Sequence, residues 1–393
     1  MSAADVYFVA AEASGDLLAR EVIEELRGAH PDLRVLGIGG PELTEVGIQS
    51  PIDISPLSVL GLFEGIRIYG EVIKLADAAA EAILLADPKV VVLVDSWGFM
   101  LRLAQRIRSR APHIRLVKLI GPQVWATRPG RAKVLAATVD HLLCMHDIEV
   151  PYYEPHGLKT TVIGNPALSR GGRGDRAGFR RQHGLMDGDI AVLVLPGSRR
   201  SEIVGVAPAL IEAALLVKRA LPGARLFVEP AQNVIDAFKD AFPEAPEQFC
   251  ILNDPACRFN AMAGADLVLA CSGTVTSEVA MQGTPMIVAY KTGWVTWALA
   301  RSLLYKKTHI TLLNILNDDT PVVPEFVQTK LRAGNVADQA IEWIKEPGAL
   351  QRQREVQALA LTRLQKEKTP AAVLAARAIC SELRADQRLT IGA

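Results

Sequence analysis

The chain carries no surplus of charge: Lys and Arg total 43, Asp and Glu total 43, and the formal net charge is zero. A neutral chain has no general attraction to a phosphate backbone, so no nucleic acid is expected as a partner. Cysteine is sparse, and Cys144, Cys250, Cys257, Cys271 and Cys380 contain no C-x-x-C pair. They read as reduced thiols of a cytoplasmic protein. The seven histidines lack ligand spacing, so no metal is expected. Asp187-Gly188-Asp189 precedes a strand instead of following one and reads as a turn. G-x-G-x-x-G is absent, which argues against a nicotinamide dehydrogenase. No apolar run approaches the ~20 residues of a membrane span. Met1-Ser2-Ala3-Ala4-Asp5 lacks the basic start and apolar core of a signal peptide. The expectation is a soluble protein, or one that touches a membrane only at its surface.

Half of the 393 residues are hydrophobic, enough for sizeable cores, and the length suggests about two to three domains. Residues 6–10, 34–38, 90–94, 115–120 and 141–144 read as strands, with helices over 17–27, 67–86, 101–110 and 131–137. Val90-Val91-Val92-Leu93-Val94 has no polar alternation and should be covered on both faces. Residues 169–175 are polar and glycine-rich, as in a connection between domains. The pattern then restarts, with strands at 191–195, 225–228, 249–252, 267–270 and 286–289. The predicted class is α/β: two Rossmann-like, doubly wound parallel-sheet domains facing a central cleft. The expected divisions are 1–168, a linker over 169–190, 191–347, and C-terminal helices over 348–393.

Ligands of such sheets bind at the carboxyl ends of strands. There, Pro196-Gly197-Ser198-Arg199 joins a strand to a helix, with Glu202 just beyond. A Gly-Ser turn lets backbone N–H groups approach an anion, the helix start adds roughly half a positive charge, and Arg199 adds a fork of donors. A second such turn is Cys271-Ser272-Gly273-Thr274. Two anion-ready turns point to a nucleotide-linked substrate. Thr274 and Glu278 share a helix face, and Glu278 either accepts from ribose hydroxyls or complements the helix dipole.

In the first half, Ala11-Glu12-Ala13-Ser14-Gly15-Asp16 closes the first strand. Ser14 and Asp16 either cap the next helix or contact a ligand. Asp95 follows the most apolar strand and is either a general base toward an attacking hydroxyl or a helix cap. Trp125 is a structural plug or lines an acyl or sugar pocket; Arg128 and Arg131 meet an anionic acceptor or water. Residues 292–307, apolar and aromatic with a basic end, suit either an anionic lipid surface or a core helix.

Several ordered segments resemble one family: Ala11-Glu12-Ala13-Ser14-Gly15-Asp16, Gly37-Ile38-Gly39-Gly40-Pro41, Pro122-Gln123-Val124-Trp125-Ala126, Arg128-Pro129-Gly130-Arg131, Pro196-Gly197-Ser198-Arg199, Ser272-Gly273-Thr274 with Glu278, and Gly283-Thr284-Pro285-Met286. Together they resemble lipid-A-disaccharide synthase, an inverting glycosyltransferase family of the GT-B fold. The resemblance implies transfer of the sugar of UDP-2,3-diacylglucosamine to the 6-hydroxyl of 2,3-diacylglucosamine 1-phosphate, releasing UDP. It implies no cofactor or metal, work at the cytoplasmic face of a Gram-negative inner membrane, and a possible homodimer. Carried over, Asp95 is the base, and Arg199 with the Gly197 and Ser198 amides stabilises the leaving UDP. Glu202, Ser272, Gly273, Thr274 and Glu278 complete the donor site. Glu12, Ser14, Gly15, Asp16, Glu64, Trp125, Arg128 and Arg131 serve acceptor and lipid. The chain departs from the family pattern at Asp95-Ser96-Trp97-Gly98-Phe99-Met100, where a Pro and an Asn are missing, and at Gly164-Asn165-Pro166. Asn317-Asp318-Asp319 is expected to bring carboxylates toward the pyrophosphate site.

Overall fold

The structure is a computed structural model that describes residues 4–54, 65–125, 128–170, 172–293, 308–317, 319–364 and 369–390. The chain divides into two compact units, residues 1–169 with 367–393 and residues 170–366.

The first unit is built on a six-stranded sheet: β1 (Val6–Ala10), β2 (Val35–Ile38), β3 (Val90–Val94), β4 (Arg115–Leu119), β5 (His141–Cys144) and β6 (Lys159–Val162). Every pairing is parallel, in the order β2-β1-β3-β4-β5-β6. Strand periodicity divides β1 between two cores. Val6, Phe8 and Ala10 pack with Leu18, Val22 and Leu26 of helix Ala13–Ala29 and with Ile379 of the last helix, Ala371–Thr390. Tyr7 and Val9 join Ala76 and Ile83 of helix Gly65–Ala86, and Leu103 and Ile107 of helix Trp97–Arg110. Both faces are covered, which is why β1 and β3 are apolar throughout.

The second unit repeats the plan with β7 (Ala191–Leu195), β8 (Arg225–Val228), β9 (Cys250–Ile251), β10 (Leu267–Cys271), β11 (Met286–Tyr290) and β12 (Glu325–Val327). The order is β12-β11-β10-β7-β8-β9, again parallel. One face carries helices Ala207–Ala220 and Ala333–Lys345. The strand order reverses between β1 and β3 in one unit and between β7 and β10 in the other. Parallel sheets open a crevice at the carboxyl ends of such strand pairs.

The differences from expectation have physical causes. β6 and β12 are edge strands, short and half-buried, and Lys159-Thr160-Thr161-Val162 offers no apolar run to reveal it. The segment read as a linker contains helix Arg176–Gln182, which belongs to the second unit. Its Arg176 and Arg180 donate to Asp266 at 2.6 and 3.1 Å, and Asp175 caps it by accepting from the Gly178 N–H at 2.8 Å. The C-terminal helices part company. Helix Ala349–Leu364 stays on the second unit, where Gln357 accepts from the Met286 N–H at 3.1 Å and donates to the Thr284 carbonyl at 2.8 Å. The last helix returns to the first unit and buries Glu382 against β4, β5 and β6.

Candidate functional site

The β1/β3 switch point gathers carboxylates. Asp95 leaves β3 with φ 46°, followed by Ser96 with φ 40°, and Ile120 leaves β4 with φ 63°. Non-glycine residues in this region cost about 1–3 kcal/mol each and persist only where their surroundings dictate them. Asp95 is half-buried, and its N–H donates to the Leu119 carbonyl at 2.9 Å. Ser96 is the N-cap of helix Trp97–Arg110 and no side chain caps it, so the capping reading of Asp95 finds no support.

Beneath Asp95 lies Lys118, which is only 2% exposed. Its Nζ donates to the Leu93 carbonyl at 3.2 Å and to the carbonyl of Asp95 itself. Burial pulls the ammonium down to about 7, while the Asp95 and Glu12 carboxylates act to hold the proton on. Glu12 moves the other way: desolvation and then the Asp95 charge raise its carboxyl, against a Ser96 hydrogen bond and Lys118. Sequence reasoning missed Lys118, although a lysine within Arg115-Leu116-Val117-Lys118-Leu119, on a strand buried on both faces, has no route to water.

Among the other first-unit candidates, Gly15 belongs to this group, since a Cβ there would meet the Val94 side chain at 3.4 Å and Asp95 at 3.9 Å. Ser14 is exposed and Glu12 stands at the N-cap of helix Ala13–Ala29 without a side-chain cap bond, so Ser14 does not cap this helix. Asp16 holds a turn. Its two oxygens accept from the Gly40 and Glu42 N–H groups, both at 2.9 Å, and so hold the turn after β2. That hold leaves no space at Gly39 and Gly40, where a Cβ would lie 2.6 and 2.8 Å from the Asp16 oxygens. Between this turn and the end of β1 opens a cavity of ≈ 520 Å³, with Glu12, Asp16 and Asp53 among its walls.

The Arg131 guanidinium stacks 5.1 Å over the Trp97 ring, two residues beyond Asp95. Arg128 is exposed, at φ 50°. Trp125 is buried, and its indole N–H meets no acceptor among the described residues. Glu64 and residues 294–307 of the segment 292–307, expected to be either a lipid-docking or a core helix, lie outside the described residues.

The β7/β10 switch point holds the second cavity, ≈ 320 Å³, between the two expected turns. Its walls include Gly197, Ser198, Arg199, Glu202, Ser272 and Gly273. The first turn is already occupied by the protein's own carboxylate. Glu202 Oε2 accepts from the Ser198 and Arg199 N–H groups at 2.8 and 3.2 Å, and Oε1 accepts from Arg199 Nη1 at 2.9 Å. The amide expected to face a phosphate at Ser198 is therefore committed to Glu202. Gly197 is required twice over: its φ is 122°, and a Cβ would sit 2.6 Å from the Glu202 Cβ. The Arg199 side chain is 75% exposed, so its unused donors are open to a ligand.

The second turn leads into helix Thr274–Met281, which Gly273 precedes and which carries Glu278. Only the backbone of Thr274 is described. Glu278 is not alone: Arg258 Nη2 lies 2.7 Å from its Oε2, and Arg258 Nε is 3.8 Å from Glu229. Desolvation pushes the Glu229 carboxyl up to about 7 despite Arg258, and Glu278 adds to the rise. Arg258 and Glu229 were not anticipated. Glu229 follows β8 directly, at a strand exit that signalled it, whereas Arg258 starts a helix with no motif around it.

Asp319 does not face this cavity. Its carboxylate accepts from the N–H groups of Thr308 and His309 at 2.7 and 3.0 Å and pairs with the His309 ring at 2.9 Å. The expected clash with a pyrophosphate is thus absent at Asp319, and Asp318 lies outside the described residues.

A family model described as lipid-A-disaccharide synthetase matches residues 6–379. The lipid-A-disaccharide synthase of Ruegeria pomeroyi is 34% identical over 389 residues, covering 96% of this chain and 95% of its own. That of Rhodospirillum centenum is 33% identical over 350 residues, covering 88% and 87%. Among solved structures, a UDP-N-acetylglucosamine 2-epimerase of Listeria monocytogenes superposes with a TM-score of 0.62 at 12% identity, covering 98% of this chain and 97% of its own. MurG of Acinetobacter baumannii gives 0.59 at 14% identity, covering 96% and 99%. These two likenesses concern the fold alone, a pair of Rossmann-like domains of the GT-B type.

Proposed function

The chain belongs to the lipid-A-disaccharide synthase family, and from that premise we propose which groups carry the transfer and on which substrates. It is a glycosyltransferase of lipid A disaccharide biosynthesis. The proposed donor is UDP-2,3-diacylglucosamine and the proposed acceptor is 2,3-diacylglucosamine 1-phosphate. The observation that best supports this reading is the pair of switch-point sites: Asp95 with Glu12 at β1/β3, and at β7/β10 a cavity whose walls carry Arg199 and Arg258 for a diphosphate and Glu278 for a ribose.

In the proposed reaction Asp95 accepts the proton of the acceptor 6-hydroxyl as its oxygen attacks the donor's anomeric carbon. The bond from that carbon to the diphosphate oxygen breaks on the opposite face, inverting the centre, and UDP leaves with the electron pair. Arg199 and Arg258 stabilise the charge that develops on the diphosphate. With the Ser198 amide held by Glu202, the turn contributes mainly through the exposed Arg199 fork. Glu278 serves the ribose hydroxyls, and Arg258 orients its carboxylate. No metal takes part in this proposal. The acceptor side uses Glu12, the Gly39-Gly40 turn, Trp125, Arg128 and Arg131.

No helix among the described residues is long and apolar enough to cross a membrane. Contact with an inner-membrane surface and pairing into a homodimer remain part of the proposal, and vesicle flotation and analytical ultracentrifugation test them. The decisive assay incubates the protein with both acylated substrates in detergent and EDTA and follows lipid products by mass spectrometry. A tetra-acyl disaccharide 1-phosphate is expected from the wild type and none from Asp95→Asn, with UDP binding retained by both. Product from Asp95→Asn at the wild-type rate removes Asp95 as base, and loss of product on adding EDTA removes the metal-free reading.

A further inference from the structure

Lys118 is an ammonium placed where burial opposes it, next to the last residue of β4, a strand whose other buried positions are apolar. A structural core position does not call for an ammonium, and an aliphatic side chain would fill the site without the desolvation cost. What the ammonium does touch is specific. Of its three N–H donors, one reaches the Leu93 carbonyl and one the Asp95 carbonyl. These carbonyls flank Val94, the last residue of β3, just where the chain turns into the left-handed pair Asp95 and Ser96. Ile120, two residues after Lys118, is left-handed as well. The exits of two neighbouring strands are therefore strained at one place, and Lys118 is the group that ties them together.

We propose that Lys118 is a positioning residue for the transfer reaction: it clamps the exit of β3 so that the Asp95 carboxylate faces the acceptor hydroxyl, and its ammonium offsets the negative charge gathered there by Asp95 and Glu12. The proposal rests on the reading of Asp95 as base.

Lys118 acts on two levels that substitutions separate. The clamp needs only an N–H donor at the two carbonyls. The field needs a cation. The charged groups bearing on it are Asp95 at the end of β3 and Glu12 at the end of β1. Two carboxylates share one buried cation, and losing it raises the cost of ionising Glu12. Because burial brings Lys118 down to about 7, the cation is present below that pH and lost above it. A rate that depends on the cation falls with rising pH as Lys118 deprotonates, so the wild type has an alkaline limb near that pH.

The test measures kcat and KM for both substrates from pH 4.5 to 9.5 in wild type, Lys118→Met, Lys118→Gln and Asp95→Asn. Thermal unfolding of each variant is followed alongside. Lys118→Met is expected to keep or raise its melting temperature, since it removes a buried charge. Its kcat is expected to fall about 10- to 100-fold with both KM values within about twofold, the pattern of a lost transition-state contribution. Its alkaline limb is expected to disappear, because no group is left there to deprotonate. Lys118→Gln restores kcat toward wild type if the clamp dominates but also lacks the alkaline limb, because it donates without charge. A wild-type pH profile and kcat in Lys118→Met, with Asp95→Asn inactive, overturns the proposal while leaving Asp95 as base. Activity in Asp95→Asn overturns both.

Discussion

Truncation of Glu382 should loosen the first unit by detaching its last helix. Glu382 is 1% exposed and is held by Arg115 at 2.8 and 3.2 Å, Lys159 at 2.6 Å and His141 Nδ1 at 3.0 Å. Burial alone would raise its carboxyl, but the bonds from His141, Lys159 and Arg115 hold it far below the usual carboxylate range. In Glu382→Ala, the Lys159 side chain, 54% exposed, returns to water at little cost, and Arg115 keeps Asp140 at 3.3 Å. His141 is 1% exposed and loses an acceptor with no water to replace it. The full loss of a buried ion pair is about 3–5 kcal/mol. Discounting the two partly exposed cations leaves about 2–3 kcal/mol.

For a unit of this size each kcal/mol moves the midpoint by about 2–4 °C, so the first unit should melt about 5–10 °C lower. Calorimetry of the full chain reads this as separation of the first unit's transition from the second's, and hydrogen exchange reads it as faster exchange across residues 371–390. The pH dependence has a definite sign. The folded carboxyl lies below its ordinary 4.5, so the contribution is complete above that value and drains away as pH falls beneath it. The variant and the wild type should therefore converge in strong acid. A midpoint unchanged within about 1 °C at pH 7, with the helix still protected, would refute the reasoning and assign the docking to the apolar contacts of Ala371, Ala375 and Ile379 alone.

Arg199→Ala is expected to weaken UDP binding by ~1.5–3 kcal/mol, the range of a charge-assisted hydrogen bond; equal affinity by calorimetry would exclude Arg199 from the donor site. Gly39→Ala forces a methyl to within 2.6 Å of Asp16 and 2.7 Å of Leu43, a strain of about 1–3 kcal/mol, and should lower the first unit's urea midpoint and raise the acceptor KM. An unshifted midpoint counts against the role given to Asp16. Burial opposes ionisation of Asp319, yet the Thr308 N–H and then the His309 ring and N–H bring it down to about 2 from 3.8. Asp319→Asn should therefore cost about 2 kcal/mol at pH 7. That difference should vanish as pH falls through about 2, as denaturation of both proteins across pH would establish.

Much of the architecture follows from local pattern. Apolar five-residue runs such as 90–94 and 191–195 are readable without partners, because a strand covered on both faces needs every side chain apolar. The alternation of strand and helix then confines ligand-binding residues to strand exits, and so Asp95, Glu12, Arg199 and Glu278 stood out in the bare sequence. Edge strands such as Lys159–Val162 escaped because their exposed faces carry ordinary polar residues.

Local pattern is thus enough for the class of fold, its two-sheet plan and the strand exits at which chemistry sits. The work of each side chain at those exits depends on neighbours brought in by the folded chain. Asp16 and Asp95 are both acids at exits, yet one is spent on the Gly40 turn while the other rests above a buried lysine. Glu202, in the anion-ready turn, fills it. Glu382 meets Arg115 from 267 residues away. The reason is physical: periodicity reports which way a side chain points relative to its own element, but hydrogen bonds and charge pairing are settled between elements, and those neighbours exist only once the sheet order is set.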